Sequence, residues 1–186
     1  MNKSLMGGFI AASFFFALSP SVEAADYEID PAHSFVEFRI QHLGYSWLYG
    51  RFNDIKGAFS YDEAKAAKSR FSVEIDTASV DSNHAERDKH LRGSDFLNVA
   101  KFPKALFKSK TFDGVKLVGE LTLHGVTKEI VIDVKKVGEG KDPWGGYRAG
   151  FIGTTKLDRS DFGISYNLGP SGNVMDFELG LEGIRK

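Results

Sequence analysis

The sequence predicts a mainly β chain, an antiparallel sandwich or barrel carrying one short helical insertion. Three observations predict it: short segments in which apolar and polar residues alternate, glycine turns between those segments, and one stretch, 81–102, where the alternation gives way to helix-start signals. From Ser34 to His42, Val36, Phe38 and Ile40 share one side, while Phe35, Glu37, Arg39 and Gln41 share the other. Gly57-Phe59-Tyr61, Phe71-Val73-Ile75-Thr77 and Leu117-Gly119-Leu121-Leu123 repeat the pattern, followed by Ile130-Ile132-Val134, Ala149-Phe151-Gly153 and Phe177-Leu179-Leu181. Asp113-Gly114, His124-Gly125 and Gly145-Gly146 mark tight turns between them, because glycine adopts positive φ at little cost. The polar stretch 137–146 reads as a loop. In the insertion, Asn83 is the expected helix cap and Glu86, three residues on, completes a capping box. Ser94 then starts a second short turn that Pro103 ends, placing the helical segment at roughly 83–101.

Composition bounds the function. The chain has 186 residues, 24 Lys+Arg against 25 Asp+Glu, and no cysteine. A near-neutral charge argues against a nucleic-acid partner, which calls for a basic excess on one face. Without cysteine there is no disulfide framework, no thiol nucleophile and no thiolate zinc site. Residues 1–24 read as a secretory signal peptide: Lys3 at the start, an apolar run from Met6 to Leu18, Pro20, and small residues ahead of a cut after Ala24. The run is too short to span a bilayer, which needs about 20 apolar residues. The expected mature protein, residues 25–186, is one exported domain, periplasmic in a Gram-negative cell.

The candidate chemistries each meet a plainer explanation. His84, Glu86, Asp88 and His90 tempt a metal assignment, but His90 falls about 240° round a helix from His84. A solvated helix with Glu86–His90 and Asp88–Arg92 pairs accounts for the same residues. His33, His42 and His124 are scattered singly among strands, and only His42, which closes the apolar row of its strand, stands out. Ser171 in Gly-Pro-Ser-Gly lacks the nucleophile-elbow pattern, and Gly138-Glu-Gly140 lacks the third glycine and the helix of a dinucleotide site. Arg159 with Asp161 reads as a local or cross-strand ion pair, with a polar-headgroup contact as the alternative. No catalytic residue, metal or cofactor is expected.

The positive signal is aromatic. Of 16 Phe, four lie in the expected signal peptide, and Phe38, Phe59, Phe71, Phe151 and Phe177 fall on inward parities. A filled core explains them. A barrel of about eight strands, however, is at the size where the interior is either just filled or holds one small ligand. Gly57, Gly119 and Gly153 share that inward parity and leave room.

Four separated motifs carry a family resemblance. They are the run Phe38 to Gly50, the segment Asn83 to Arg92 with Ser94-Asp95-Phe96, the hairpin Gly119 to Lys128, and Asp142-Pro-Trp-Gly-Gly146. Together they resemble the polyisoprenoid-binding YceI-like family, most closely its periplasmic proteobacterial members, over essentially all of the mature chain. The resemblance implies an extended, lipocalin-like antiparallel β-barrel of about eight strands. It would enclose a long apolar chain: a polyisoprenoid, an isoprenoid quinone or its precursor, or a fatty amide. It also implies a homodimer, and transient membrane contact is a further expectation. By position and parity, the expected ligand contacts are Phe38, His42, Phe52, Phe59, Phe71, Phe107, Leu121, Phe151, Phe162 and Phe177. His42, Tyr45, Trp47 and Tyr49 are expected to orient a polar head at the mouth. Two other classes remain open on the sequence: a secreted enzyme acting on quinone-like or lipid substrates through its histidines, and a filled barrel serving as an interaction protein.

Overall fold

The computed structural model describes residues 24–186; the expected signal peptide, apart from Ala24, lies outside them. The strands are β1 (Ala25–Ile29), β2 (Phe35–His42), β3 (Ser46–Phe52), β4 (Ile55–Tyr61), β5 (Arg70–Asp76) and β6 (Val80–Asp81). After the helix α1 (Ala85–Arg92) come β7 (Lys104–Phe112), β8 (Lys116–Leu123), β9 (Val126–Lys141), β10 (Tyr147–Asp158) and β11 (Val174–Arg185). All pairings are antiparallel, and eight strands close a ring in the order β1-β4-β5-β7-β8-β9-β10-β11, with β11 returning to β1.

The other three strands make the barrel long. β11 pairs with β1 through Gly183–Arg185 and with β2 through Met175–Gly180. β3 lies beside β2, and β6 beside β3. Each is the continuation of a ring strand after a break: β1 into β2 at 30–34, β3 into β4 at Asn53-Asp54, β5 into β6 at the 3-10 turn Thr77–Ser79. The three breaks are stitched rather than loose, since buried backbone donors must find acceptors. The Ser79 hydroxyl oxygen accepts from Asn53 N and Asp54 N at 3.1 Å each, Ala78 N donates to the Asp76 carboxylate at 2.8 Å, and Asp30 N donates to Glu182 O at 2.8 Å. β6 is only two residues long, and Leu91, Phe96 and Leu97, from α1 and the turns after it, stand on the inner wall beside it.

One end of the barrel is plugged by aromatic rings. Tyr27 and Phe59 stack at 4.8 Å, Phe59 and Phe71 at 5.4 Å, and Phe151 meets Phe59 edge-on at 5.5 Å and Tyr61 at 5.0 Å. Such pairs add about 0.5–1.5 kcal/mol each beyond their burial. Close packing of inward rings over nearby strands requires glycine at two positions. A Cβ on Gly183 would come within 2.6 Å of Phe59 Cζ, and one on Gly119 within 2.5 Å of Phe107 Cζ.

Several expectations need correction. Gly119 does not leave room, because the Phe107 ring covers it; Gly57 faces the Ser72 carbonyl and the Ile29 side chain; of the three inward glycines only Gly153 borders the interior space. The cap of α1 is His84, whose Nδ1 accepts from Arg87 N at 3.3 Å, while Asn83 takes a positive φ of 61° outside the helix. The helix is shorter than the expected 83–101 segment, ending at Arg92, and the short turn expected from Ser94 runs over 94–97. The helix is not simply solvated: Asp88 is 7% exposed and accepts from Ser82 N at 2.8 Å and from the Ser82 hydroxyl. Burial works to raise the Asp88 pKa, and the Ser82 hydrogen bonds outweigh it, holding the carboxyl below its ordinary range. Arg92 donates to the carbonyls of Ala78 and Val80 at 2.7 and 2.6 Å instead of pairing with Asp88 by a direct hydrogen bond, and His90 pairs with Asp95 at 3.0 Å. Finally, β9 runs to Lys141, so only residues 142–146 turn. Beyond its bulge at Val137, β9 is exposed over 137–139 and its alternation is lost from the sequence, while Ala149 on the facing strand stays buried.

Candidate functional site

Close-packed protein interiors have few spaces larger than a water molecule. Here a cavity of about 710 Å³ occupies the barrel above the aromatic plug, within the size range of small-molecule sites. β2 brings Val36, Phe38 and Ile40 to it, β5 Phe71, Val73 and Ile75, β8 Leu117 and Leu121, β9 Ile130, Ile132 and Val134, and β11 Phe177, Leu179 and Leu181. Period-two alternation is what aims these side chains inward from their strands at once.

Nine of the ten expected ligand contacts stand on this wall: Phe38, His42, Phe52, Phe71, Phe107, Leu121, Phe151, Phe162 and Phe177. Phe59 does not. It has inward parity, but it lies in the plug, 3% exposed between Tyr27, Phe71 and Phe151, and serves as the floor below the cavity. Parity gives the side of the sheet and says nothing of height along the barrel, which is why the sequence could not separate Phe59 from Phe151.

The mouth also differs from expectation. Trp47 and Tyr49 point away from the cavity on the outer face of β3, Tyr45 in the turn before it is 87% exposed and off the cavity wall, and Arg39 lies over the Trp47 ring at 4.4 Å. The inward residues of the β2–β3 hairpin are Ile40, His42 and Leu48, because β2 and β3 face each other with Ile40 opposite Leu48. The polar groups at this end are Gln41 and His42 on β2 and, from α1 and the segment after β10, Arg87, His90, Arg159, Tyr166 and Asn167. Among the described residues, no Asp or Glu is on the cavity wall.

Arg159 is the least expected of them. It is 4% exposed and has no direct hydrogen bond to Asp161, which pairs with Lys128 at 2.8 Å. Its guanidinium donates to the carbonyls of Gly172 at 2.7 Å, Ile164 at 2.8 Å and Tyr166, and to Asn173 Oδ1 at 3.1 Å. Burial lowers its pKa from the ordinary guanidinium value, against the opposing pull of the Asp158 charge. A single side chain thus gathers 163–173 into a fixed wall of the cavity. The motif showed an arginine beside an acid; only the burial reveals that its partners are carbonyls. His124 ties the same turn from the other side, its Nδ1 lying 3.1 Å from Phe162 O, with its ring against Phe102 at 4.5 Å.

The extended antiparallel barrel of eight strands is the architecture the four sequence motifs led us to expect; its broken strands and its aromatic plug were not in that expectation. Residues 27–182 match the family description of a YceI-like domain. The chain belongs to the YceI-like family. A UPF0312 protein of Yersinia pestis is 51% identical over 191 residues, covering 100% of this chain and 98% of that one. The solved YCEI protein of Campylobacter jejuni superposes with a TM-score of 0.69 at 31% identity, over 79% of this chain and 90% of that one. A structure described as a polyisoprenoid binding domain from Saccharophagus degradans implicated in plant cell wall breakdown has a TM-score of 0.66 at 17% identity, over 88% of this chain and 100% of that one. The last likeness is one of fold.

Proposed function

We propose that this YceI-like protein is a periplasmic lipid-binding protein that shelters one long apolar chain in its barrel, for carriage, storage or sensing. The observation that carries the reading is the cavity: about 710 Å³, lined mainly by apolar side chains, with no carboxylate among the described residues of its wall. Burial of hydrocarbon supplies about 0.8 kcal/mol per CH₂. If a methylene fills roughly the ~30 Å³ of a water, the cavity accommodates about twenty carbons. Polyisoprenoids, isoprenoid quinones or their precursors, and fatty amides all offer such chains, and the polyisoprenoid binding described for the Saccharophagus relative supports that class.

The contacts we assign are the nine wall residues named above, with Phe59 as the end stop. A polar head sits at the mouth among Arg87, His90, Tyr166 and Asn167. We read the site as one of binding rather than catalysis, because its arginines and His90 are already engaged: Arg159 with carbonyls, Arg87 with Ser82, His90 with Asp95. Delivery then needs transient contact with a membrane.

The test is extraction of the purified protein with organic solvent, mass spectrometry of the extract, and repetition on folded Phe38→Asp and Phe151→Asp variants. Lipid in the native protein and its loss from both variants is the expected result. A folded native protein without lipid, or variants that retain it, would overturn the proposal.

A further inference from the structure

The ring of eight strands is parted at one seam. β9 and β10 pair from Lys141 opposite Tyr147 to Asp133 opposite Thr154, and there the ladder stops, although β9 extends back to Val126 and β10 on to Asp158. Each strand keeps its other neighbour along this stretch: Val126 to Asp133 pair with β8, and Thr155 to Asp158 pair with β11. Both edges are therefore held as strands while the wall between them is open.

A groove of about 850 Å³ lies over the parting, with Lys128 and Val131 on one bank and Thr154 and Lys156 on the other. Its floor is made by Phe38, Ile130, Leu157, Phe162 and Phe177, which are also wall residues of the central cavity. Outside and inside are thus separated here by a single layer of apolar side chains. Two links cross the gap. The Thr155 hydroxyl donates to Val131 O at 2.8 Å, and Lys128 Nζ meets Asp161 at 2.8 Å, with both partners of that ion pair about half exposed. An exposed ion pair is a weak strap.

We propose that the parting between β9 and β10 is a lateral portal through which the apolar chain enters and leaves the cavity. This inference rests on the binding function proposed above. Of the two barrel ends, one is closed by the stack of Tyr27, Phe59, Phe71 and Phe151, and the other leads past Arg87, His90 and Arg159. A hydrocarbon threading end-on through the second would have to slide its whole length past those groups. The groove outside the seam also has charged banks, Lys128, Asp133, Lys156 and Asp158 among them, but the chain crosses these once and broadside, between Leu157, Ile130 and Phe177, and no strand ladder has to break because none is formed there. Side-chain rotation and loss of the two links suffice.

The chain has no cysteine, so a cysteine pair can be introduced cleanly. Val131 and Lys156 would face each other if the ladder continued two residues further, and neither is on the cavity wall. Val131→Cys with Lys156→Cys, joined by oxidation or by a short bismaleimide, stitches the seam. Uptake and release of cis-parinaric acid, followed by stopped-flow fluorescence, are the readout. We expect both rates to fall at least tenfold in the cross-linked protein, with the dissociation constant unchanged, and reduction of the disulfide form to restore them. Lys128→Ala, which removes the outer strap, should raise both rates severalfold, again at unchanged affinity. Cross-linked protein that exchanges probe at the native rate would overturn the portal while leaving the binding function standing, as would Lys128→Ala at the native rate should the cysteine pair fail to fold. Native protein that takes up no probe would overturn the binding function and the portal with it.

Discussion

Asp30→Asn should weaken the barrel by about 2 kcal/mol at neutral pH and by almost nothing near pH 2. Asp30 sits at the break between β1 and β2. Arg148, on β10, reaches it at 2.7 Å, and the same guanidinium holds Glu182 at 2.6 Å on β11 and Asp142 at 3.0 Å in the turn before β10. Asp30 is largely buried, with its side chain 11% exposed. The hydrogen bond from Arg148, and then that from His33, lowers the Asp30 carboxyl from its ordinary 3.8 to about 2. One pKa unit is worth about 1.36 kcal/mol, so a displacement of this size corresponds to about 2 kcal/mol of stability. The folded pKa is depressed, and the contribution is therefore complete above about pH 5, falls as pH drops through 3.8, and is gone below about 2, where both folded and unfolded chains are protonated. In a domain of this length the loss at pH 7 should lower Tm by about 4–8 °C. Urea unfolding of both proteins at pH 7, 5, 3.5 and 2.5 checks it. A native-to-variant difference that stays constant down to pH 2.5 would show that packing, and not ionisation, is what Asp30 contributes.

Three further outcomes are expected. In calorimetric titrations with alkyl chains of increasing length, Kd should fall roughly fourfold per added CH₂, following about 0.8 kcal/mol each, and level off near twenty carbons; a Kd independent of length would contradict a buried chain. Gly183→Ala should cost about 1–3 kcal/mol in urea unfolding, because its Cβ would press on Phe59 Cζ at 2.6 Å and Tyr27 Cβ at 2.8 Å in a plug with no slack. Arg159→Met should cost about 2–4 kcal/mol by leaving the carbonyls of Gly172, Ile164 and Tyr166 without their donor; hydrogen exchange should quicken across 163–173 and stay native in β7 and β8.

Much of the barrel was legible because alternation is a local signal. Each of Val36, Phe38, Ile40 and Phe71, Val73, Ile75 declares a half-buried strand within a few residues. Where alternation failed, there is a physical cause. β3 carries Trp47, Leu48 and Tyr49 in succession, with Trp47 and Tyr49 on the outer face and Leu48 on the cavity wall, so no polar side marks it. β7 changes phase at the bulge between Ser109 and Thr111, and its Phe107 and Phe112, both buried, stand at odd spacing. The cap of α1 was misplaced by one residue because Asn83 has the stronger intrinsic preference, and a positive φ removes it from the capping position.

What the sequence determined alone is which side of each strand is apolar, where the chain turns, and, through four motifs, which family the fold belongs to; these depend on neighbours a few residues apart. Whether the apolar sides meet over a filled core or around a cavity depends on distances across the barrel, between residues as remote as Phe38 and Phe151. Only the tertiary structure decided that Phe59 is floor while Phe151 is wall, that Phe107 fills the space at Gly119, and that Arg159 is buried among carbonyls. It alone decided that the β9–β10 ladder stops at Thr154, since hydrogen bonding between two strands is a property of the pair and is written in neither.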